Sequence, residues 1–389
     1  MADRTKRNRK QPIQVYPTLA GWLFLAVAVM VGLAAAKTQA ALTYVLFGGM
    51  MGAMAISAII ARQMVAAVAL DRESPDRVWQ DQTAHLNYNL RNLRRRSCMA
   101  MKVEEAAVAG VEFSPGYCLH LRPGASFRCG ARFAPRRRGA FVLERIRLST
   151  SFPFGLVRAC RAFEQKAGLT VWPGRGKLRR QLLHRGAAET SSAGPSPVQG
   201  GQDEFFGLRQ YRAGDNPRWI HWRRSAGRIM PVVREMSRPL PEILWVVLDV
   251  RPASGAPEDC RRRERTIRFA STLIDHAFAK GYKVGLAMAG PGGAVVHEPA
   301  PGLGQRCLLL DALARIDAGP AEHFAETVGR LQRHRLREAQ VAIIAADKPA
   351  LEACPLRALQ GACRGLKTFC ADQLQAVFED DPLAGQEQA

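Results

Sequence analysis

The chain has 389 residues, too many for one ordinary core, so two or three domains are expected. Its 47% hydrophobic and 23% charged residues are ordinary for folded protein, but a formal charge of +22 is not. That balance favours acidic partners, although the arginines are spread along the chain, which weakens a nucleic-acid reading. The nine cysteines are odd in number and include no C-x-x-C pair. A complete disulfide framework is thereby excluded and zinc disfavoured, and isolated thiols suit a reducing compartment.

Residues 1–18 form a basic N-terminus carrying "RTKRNRK". Two uncharged apolar runs follow, 19–36 and 40–61, separated only by Lys37, Thr38 and Gln39. About 20 apolar residues cross a bilayer core, so the pair predicts a transmembrane helical hairpin. Small residues in the second run, Gly48, Gly49 and Gly52 among them, are expected to let the two backbones approach. Basic residues flank both outer ends, with Arg62 after the second run, which places both termini and the bulk of the chain in the cytoplasm.

Residues 71–175 alternate apolar and polar positions between turn signals, the pattern of a β-sandwich. Leu86, Tyr88 and Leu90 share one face, as do Phe127, Cys129, Ala131 and Phe133. Two basic stretches, "RNLRRRS" (91–97) and "PRRRGAF" (135–141), read as solvated strand faces and a hairpin tip, or as contacts to lipid headgroups.

Residues 185–239 hold a Gly/Pro-rich linker (185–202) and then "LRQYRAGDNPRWIHWRRSAG" (208–227). Asp215 reads as the N-cap of a short helix, with Pro217 in its first turn and Gly214 in a tight turn before it. Helical spacing then puts Trp219, Trp222 and Ala226 on one face and leaves Arg223 elsewhere. The stretch supports internal packing through its tryptophans or a protein-docking surface, since Arg and Trp dominate binding hot spots. Arginines with interleaved aromatics also leave single-stranded nucleic acid open. A catalytic Asp215–His221 pair lacks an evident Ser or Cys nucleophile.

From 240 to 375 apolar strands alternate with amphipathic helices, which predicts an α/β domain built on a parallel sheet covered on both faces, followed by a C-terminal tail, 376–389. Asp249 and Asp347 end two of its strands, at the edge where such sheets bind ligands. No Gly-rich phosphate loop follows the first strand.

The paired N-terminal spans, "FPFGLVR" (152–158), "EFFGLRQYRAGDNPRWIHWRRSAG" (204–227), "VVREM" (232–236) and "WVVLDV" (245–250) resemble the bacterial domain of unknown function 58 family. The resemblance makes Arg209, Tyr211, Gly214, Asp215, Arg218, Trp219, Trp222, Arg223 and Arg224 a signature and interaction motif. It implies a C-terminal domain similar to the von Willebrand factor A domain, which is Rossmann-like. It also implies a multi-pass protein of the bacterial inner membrane. The expected role is that of a non-enzymatic scaffold working with a MoxR-type AAA+ ATPase in protein maturation or cell-envelope processes. Other membrane proteins of the same gene neighbourhood and anionic lipid headgroups are further expected partners, and nucleic acid is not expected. The alternatives are a membrane-tethered enzyme or a nucleic-acid or anionic-lipid binder. A von Willebrand A domain holds Mg²⁺ through Asp-x-Ser-x-Ser, but here Arg251 and Ala253 replace the hydroxyl residues, so no cofactor is expected and Asp249 and Asp347 are weak metal candidates.

Overall fold

The computed structural model describes residues 12–38, 40–179, 182–183, 198–212, 215–227, 229–238, 242–250, 257–290, 293–317, 321–334, 336–345, 348–352 and 356–380. Two compact units divide between Arg175 and Gly176.

The first unit opens with strand β1 (Gln14–Pro17) and two helices, α1 (Leu19–Thr38) and α2 (Ala41–Ala67). Both helices are long and apolar enough to cross a membrane. At 1.5 Å per residue, α1 is about 30 Å long and α2 about 40 Å. Gly21, Ala28 and Ala35 recur every seven residues on α1 and are buried. A Cβ on Gly32 would lie 3.0 Å from the Phe47 ring. Gly48, Gly49 and Gly52 would each meet open space. Gly32 of α1 therefore makes the close approach to Phe47, and the glycines of the second run do not, contrary to expectation.

α2 continues six residues past the predicted end of its apolar run, and one face of its last turns is buried. Ala61, Val65 and Ala67 belong to the same core as the strands that follow. Those strands are β2 (Val68–Glu73), β3 (Arg77–Trp79), β4 (Ala84–Asn92), β5 (Cys98–Glu105), β6 (Val111–Phe113), β7 (Gly116–Leu121), β8 (Ser126–Pro135), β9 (Gly139–Thr150) and β10 (Val157–Trp172). One sheet has the order β1-β10-β9-β5-β7, with β3 also on β10, and the other the order β2-β4-β8-β6. Period-two alternation turns Leu86, Tyr88 and Leu90 of β4 and Cys129, Ala131 and Phe133 of β8 into the core. Phe127 shares their parity but is 42% exposed near the start of β8. Each large side chain so buried contributes roughly 1.5–3 kcal/mol.

This core also holds a charge. Arg72 and Glu105 side chains are each 1% exposed. Arg72 Nη1 donates to Glu105 Oε1 at 3.0 Å and Oε2 at 2.9 Å, and Nη2 donates to the carbonyls of Leu143 and Gln165. Tyr88 Oη donates to Glu105 Oε1 at 3.1 Å. A bulge between Glu164 and Ala167 interrupts the β9–β10 register at Gln165, whose amide donates to the Leu70 carbonyl at 2.7 Å. Burial pushes the Glu105 carboxyl up, and Arg72 and Tyr88 pull it back.

The second unit contains a short pairing of β11 (Lys177–Leu178) with β19 (Phe378–Glu379), and a hairpin of β12 (Val198–Gln210) with β13 (Val232–Arg238). Residues 198–202, expected in a linker, are thus strand. The rest is a five-stranded sheet with helices. In chain order these are β14 (Ile243–Leu248), α4 (Pro257–Ala279), β15 (Lys283–Gly290), β16 (Gly293–Ala300), α5 (Leu303–Arg315) and α6 (Ala321–Gln332), then β17 (Ala339–Ala345), α7 (Lys348–Glu352), α8 (Leu356–Gln360) and β18 (Gly365–Cys370). The sheet order is β16-β15-β14-β17-β18. All pairings are parallel except β16 on β15, which is antiparallel, so the sheet is mixed rather than wholly parallel. β15 and β16 pair as a hairpin instead of through a crossover, and Gly293, the first residue of β16, accepts φ +109°. Trp245 and Val247 pack against Phe324, Val328 and Leu331 of α6. Leu244 points to the other face, where it shares a cavity wall with Leu273 of α4.

Candidate functional site

Arg209 lies near the end of β12, and the other described signature residues lie between β12 and β13 and return onto β13. Tyr211 N donates to the Pro231 carbonyl at 2.8 Å, His221 N donates to the Val232 carbonyl at 2.8 Å, and Ile220 bridges Val233. Ser225 Oγ accepts from Val232 N at 2.9 Å and donates to the His221 carbonyl at 3.0 Å. The insertion is therefore stitched to its own strand.

The expected helix from Asp215 does not form. Asn216, not Asp215, caps the first turn: its Oδ1 accepts from Arg218 N at 3.1 Å, opening a 3-10 turn, Pro217–Trp219. A second short turn, α3 (Trp222–Ser225), is capped by His221, whose Nδ1 accepts from Arg224 N at 3.3 Å. Extended backbone at Ile220 separates the two turns, which breaks the single helical face expected for Trp219, Trp222 and Ala226. Trp219 is half-buried and Trp222 is 68% exposed. Gly227 ends the second turn at φ +85°, a left-handed conformation that glycine adopts without cost.

Asp215 has a different task. Arg209 Nη1 donates to its Oδ2 at 2.7 Å and Nη2 to its Oδ1 at 2.6 Å, a two-pronged pair. The Arg212 backbone N–H donates to Oδ2 at 2.8 Å. These contacts, Arg209 first, pull the Asp215 carboxyl down to about 2. A carboxylate so engaged is a clasp, and a His221 nitrogen that caps a turn is an anchor.

What the motif leaves outward is cationic and apolar. Arg218, Arg223 and Arg224 are exposed, as are Trp222, Ile229 and Met230. None of these three arginines makes an ion pair among the described residues. Ile229 and Met230, just beyond the motif in sequence, are likewise exposed, and the motif itself did not point to them. Gly214 lies outside the described residues.

Asp249 follows β14 and is fully buried, its backbone N–H donating to the Ile344 carbonyl at 3.0 Å. Asp347, Arg251 and Ala253 lie outside the described residues. Among the described residues no three His, Cys, Asp or Glu side chains gather as a metal site. A cavity of about 230 Å³ in the second unit is lined by Leu182, Leu183, Leu244, Leu273, Val341 and Phe369. Its polar rim is engaged: Gln340 donates to Glu242 at 3.0 Å, and Arg364 donates to the same carboxylate at 3.4 Å.

No curated protein matches the chain. Among solved structures, the CARDB domain of PF1109 from Pyrococcus furiosus is 15% identical, with a TM-score of 0.19, covering 27% of this chain and 94% of that one. The trypsin-activated alpha-2-macroglobulin from Escherichia coli is 12% identical, with a TM-score of 0.22, covering 69% of this chain and 18% of that one. Residues 207–349, which begin inside the β12 strand and take in the whole signature motif, match the family model described as protein of unknown function DUF58.

Proposed function

We propose that this chain is a membrane-anchored, non-enzymatic scaffold of the family its central residues match. In this reading α1 and α2 anchor it in a bacterial inner membrane with both units in the cytoplasm, and the β12–β13 hairpin presents a docking surface. The expected partner is an AAA+ ATPase of MoxR type, in protein maturation or cell-envelope processes. One observation carries the docking role. Arg218, Arg223 and Arg224 are exposed, as are Trp222, Ile229 and Met230 within the same short stretch of chain, while the Asp215 carboxylate and His221 Nδ1 hold the loop's shape. Cationic and aromatic side chains held rigid at a surface are suited to an acidic protein partner. The strand order β16-β15-β14-β17-β18 with its antiparallel edge supports reading the second unit as similar to a von Willebrand A domain.

The test is affinity purification of the full chain from gently solubilised membranes, with and without an ATP analogue. Recovery of an AAA+ ATPase with the native chain, lost with W222A/R223E, is the expected result. Equal recovery by both chains would remove the hairpin from the interface, and no recovery in either nucleotide condition would sink the adaptor role.

A further inference from the structure

Strand directions place one end of the β-rich unit apart from the other. β1 ends at Pro17, and α1 starts two residues later. α2 ends at Ala67, and β2 starts at the next residue. Pro17 pairs Val157, the first residue of β10, and Val68 pairs Asn92, the last residue of β4. Both helices therefore leave from the end where β10 begins and β4 stops.

Three loops share that end: 93–97 between β4 and β5, 122–125 between β7 and β8, and 151–156 between β9 and β10. The contacts agree with the strand directions. Leu93 N donates to the Ala67 carbonyl at 2.9 Å, and Asn92 Nδ2 reaches the carbonyls of Leu121 and Arg122 at 3.3 Å. Thr18, just before α1, donates through Oγ1 to the Gly155 carbonyl at 2.6 Å. The second basic stretch sits elsewhere. The turn at Arg136–Arg138 joins the end of β8 to the start of β9, at the opposite end of the same strands.

The end that bears the helices is basic and apolar together. Arg94, Arg95, Arg96 and Arg122 are all exposed, and none makes an ion pair among the described residues. Leu93 and Phe154, in two of those loops, are 65% and 60% exposed. At the opposite end, by contrast, Arg136 donates to Glu112 at 3.2 Å. Unpaired arginines interleaved with outward apolar side chains, ringing the exit of two apolar helices, match a surface whose phosphates lie beside its hydrocarbon.

We propose that Arg94, Arg95, Arg96 and Arg122 form a collar that binds the headgroups of anionic phospholipids, with Leu93 and Phe154 entering the interfacial layer. The collar rests on the reading that α1 and α2 cross a bilayer. It makes the β-rich unit a lipid-selective foot, pressed to the leaflet on its helix-bearing end and turned away from it at Arg136–Arg138.

The experiment uses the full chain in zwitterionic detergent micelles, titrated with dansyl-labelled phosphatidylglycerol or phosphatidylcholine and read by tryptophan-to-dansyl energy transfer. The native chain is expected to prefer phosphatidylglycerol on the order of tenfold, a preference lost in 0.5 M salt. R94Q/R95Q/R96Q/R122Q is expected to bind both lipids equally, whereas R136Q/R137Q keeps the preference. Should the fourfold variant not fold, R95Q and R122Q singly are each expected to lose part of it. Equal binding of both lipids by the native chain, or an undiminished preference in the collar variants, overturns the collar. Alkaline carbonate extraction of membranes carrying the native chain separates the two readings. Release into the supernatant defeats the membrane crossing itself, while retention without lipid preference defeats the collar alone.

Discussion

Arg209 holds Asp215 with both terminal guanidinium nitrogens, at 2.6 and 2.7 Å, across six residues of chain. The pair closes the first half of the signature loop, and its electrostatics set a pH window. The Asp215 carboxyl is held at about 2 against an ordinary 3.8. A depressed carboxylate pKa contributes stability that is present above the ordinary value and is lost as pH falls through the folded one. The loop is therefore expected to stay clasped at pH 4 and to open toward pH 2. Carbon-13 NMR of the Asp215 carboxyl should show its midpoint near 2 in the native chain, raised toward 3.8 in R209Q, where the Arg212 N–H still holds the carboxylate.

Replacing the clasp should weaken docking without touching the exposed arginines. Asp215→Ala leaves Arg209 without its carboxylate partner and removes the acceptor for Arg212 N. Its expected signature is a lower affinity for the partner with little change in thermal midpoint, because the site is a half-exposed loop. A large fall in the midpoint would instead assign Asp215 to the stability of the whole unit.

The buried pair in the β-rich core makes the opposite prediction. Removing either partner alone leaves an uncompensated charge among apolar side chains, at a cost of about 3–5 kcal/mol. Arg72→Met and Glu105→Leu should each lower the thermal midpoint of the purified full chain strongly, while R72M/E105L recovers most of the loss. An additive double variant would show that the two residues do not act on each other.

Gly21 is fixed by backbone. A Cβ there would sit 1.9 Å from the Leu156 carbonyl oxygen, which no side-chain rotation relieves. Gly21→Ala is expected to loosen the junction between α1 and the β9–β10 loop, seen as faster proteolysis after Leu156. Gly48→Ala, whose Cβ meets open space, is the matched control and should leave the rate unchanged.

Thiol chemistry should follow burial. Cys98, Cys118 and Cys129 are buried, and burial pushes their thiols up, Cys129 to about 11. Among the described cysteines Cys260 is exposed. Iodoacetamide at pH 8 should modify Cys260 before Cys98, Cys118 and Cys129 and leave those three unmodified until the chain unfolds, as read by peptide mass spectrometry.

The apolar helices and the alternating strands were legible because burial writes itself as period and run length. Leu86, Tyr88 and Leu90 follow from that rule alone. Arg72 does not, since an arginine on a strand reads as solvated until its carboxylate partner, 33 residues away, is known. The bulge at Gln165 is equally silent, because nothing local distinguishes an inward amide from an outward one. In the signature motif, Asp-Asn-Pro offers two capping residues in succession. Local preference favours either, and the long reach of Arg209 decides that Asp215 closes the loop while Asn216 caps. Strand β12 was hidden by glycines that read as linker, though "VVREMSR" in β13 carried an apolar start that could have signalled its partner.

α2 enters the β-rich core without a break, with Ala61, Val65 and Ala67 embedded among the strands. The heading of that unit about the helix axis is consequently set by residue count. One residue inserted after Ala55 would turn everything upstream by about 100° relative to the core. Helix and strands thus behave as a shaft keyed to its wheel, so torque on either element is delivered to the other.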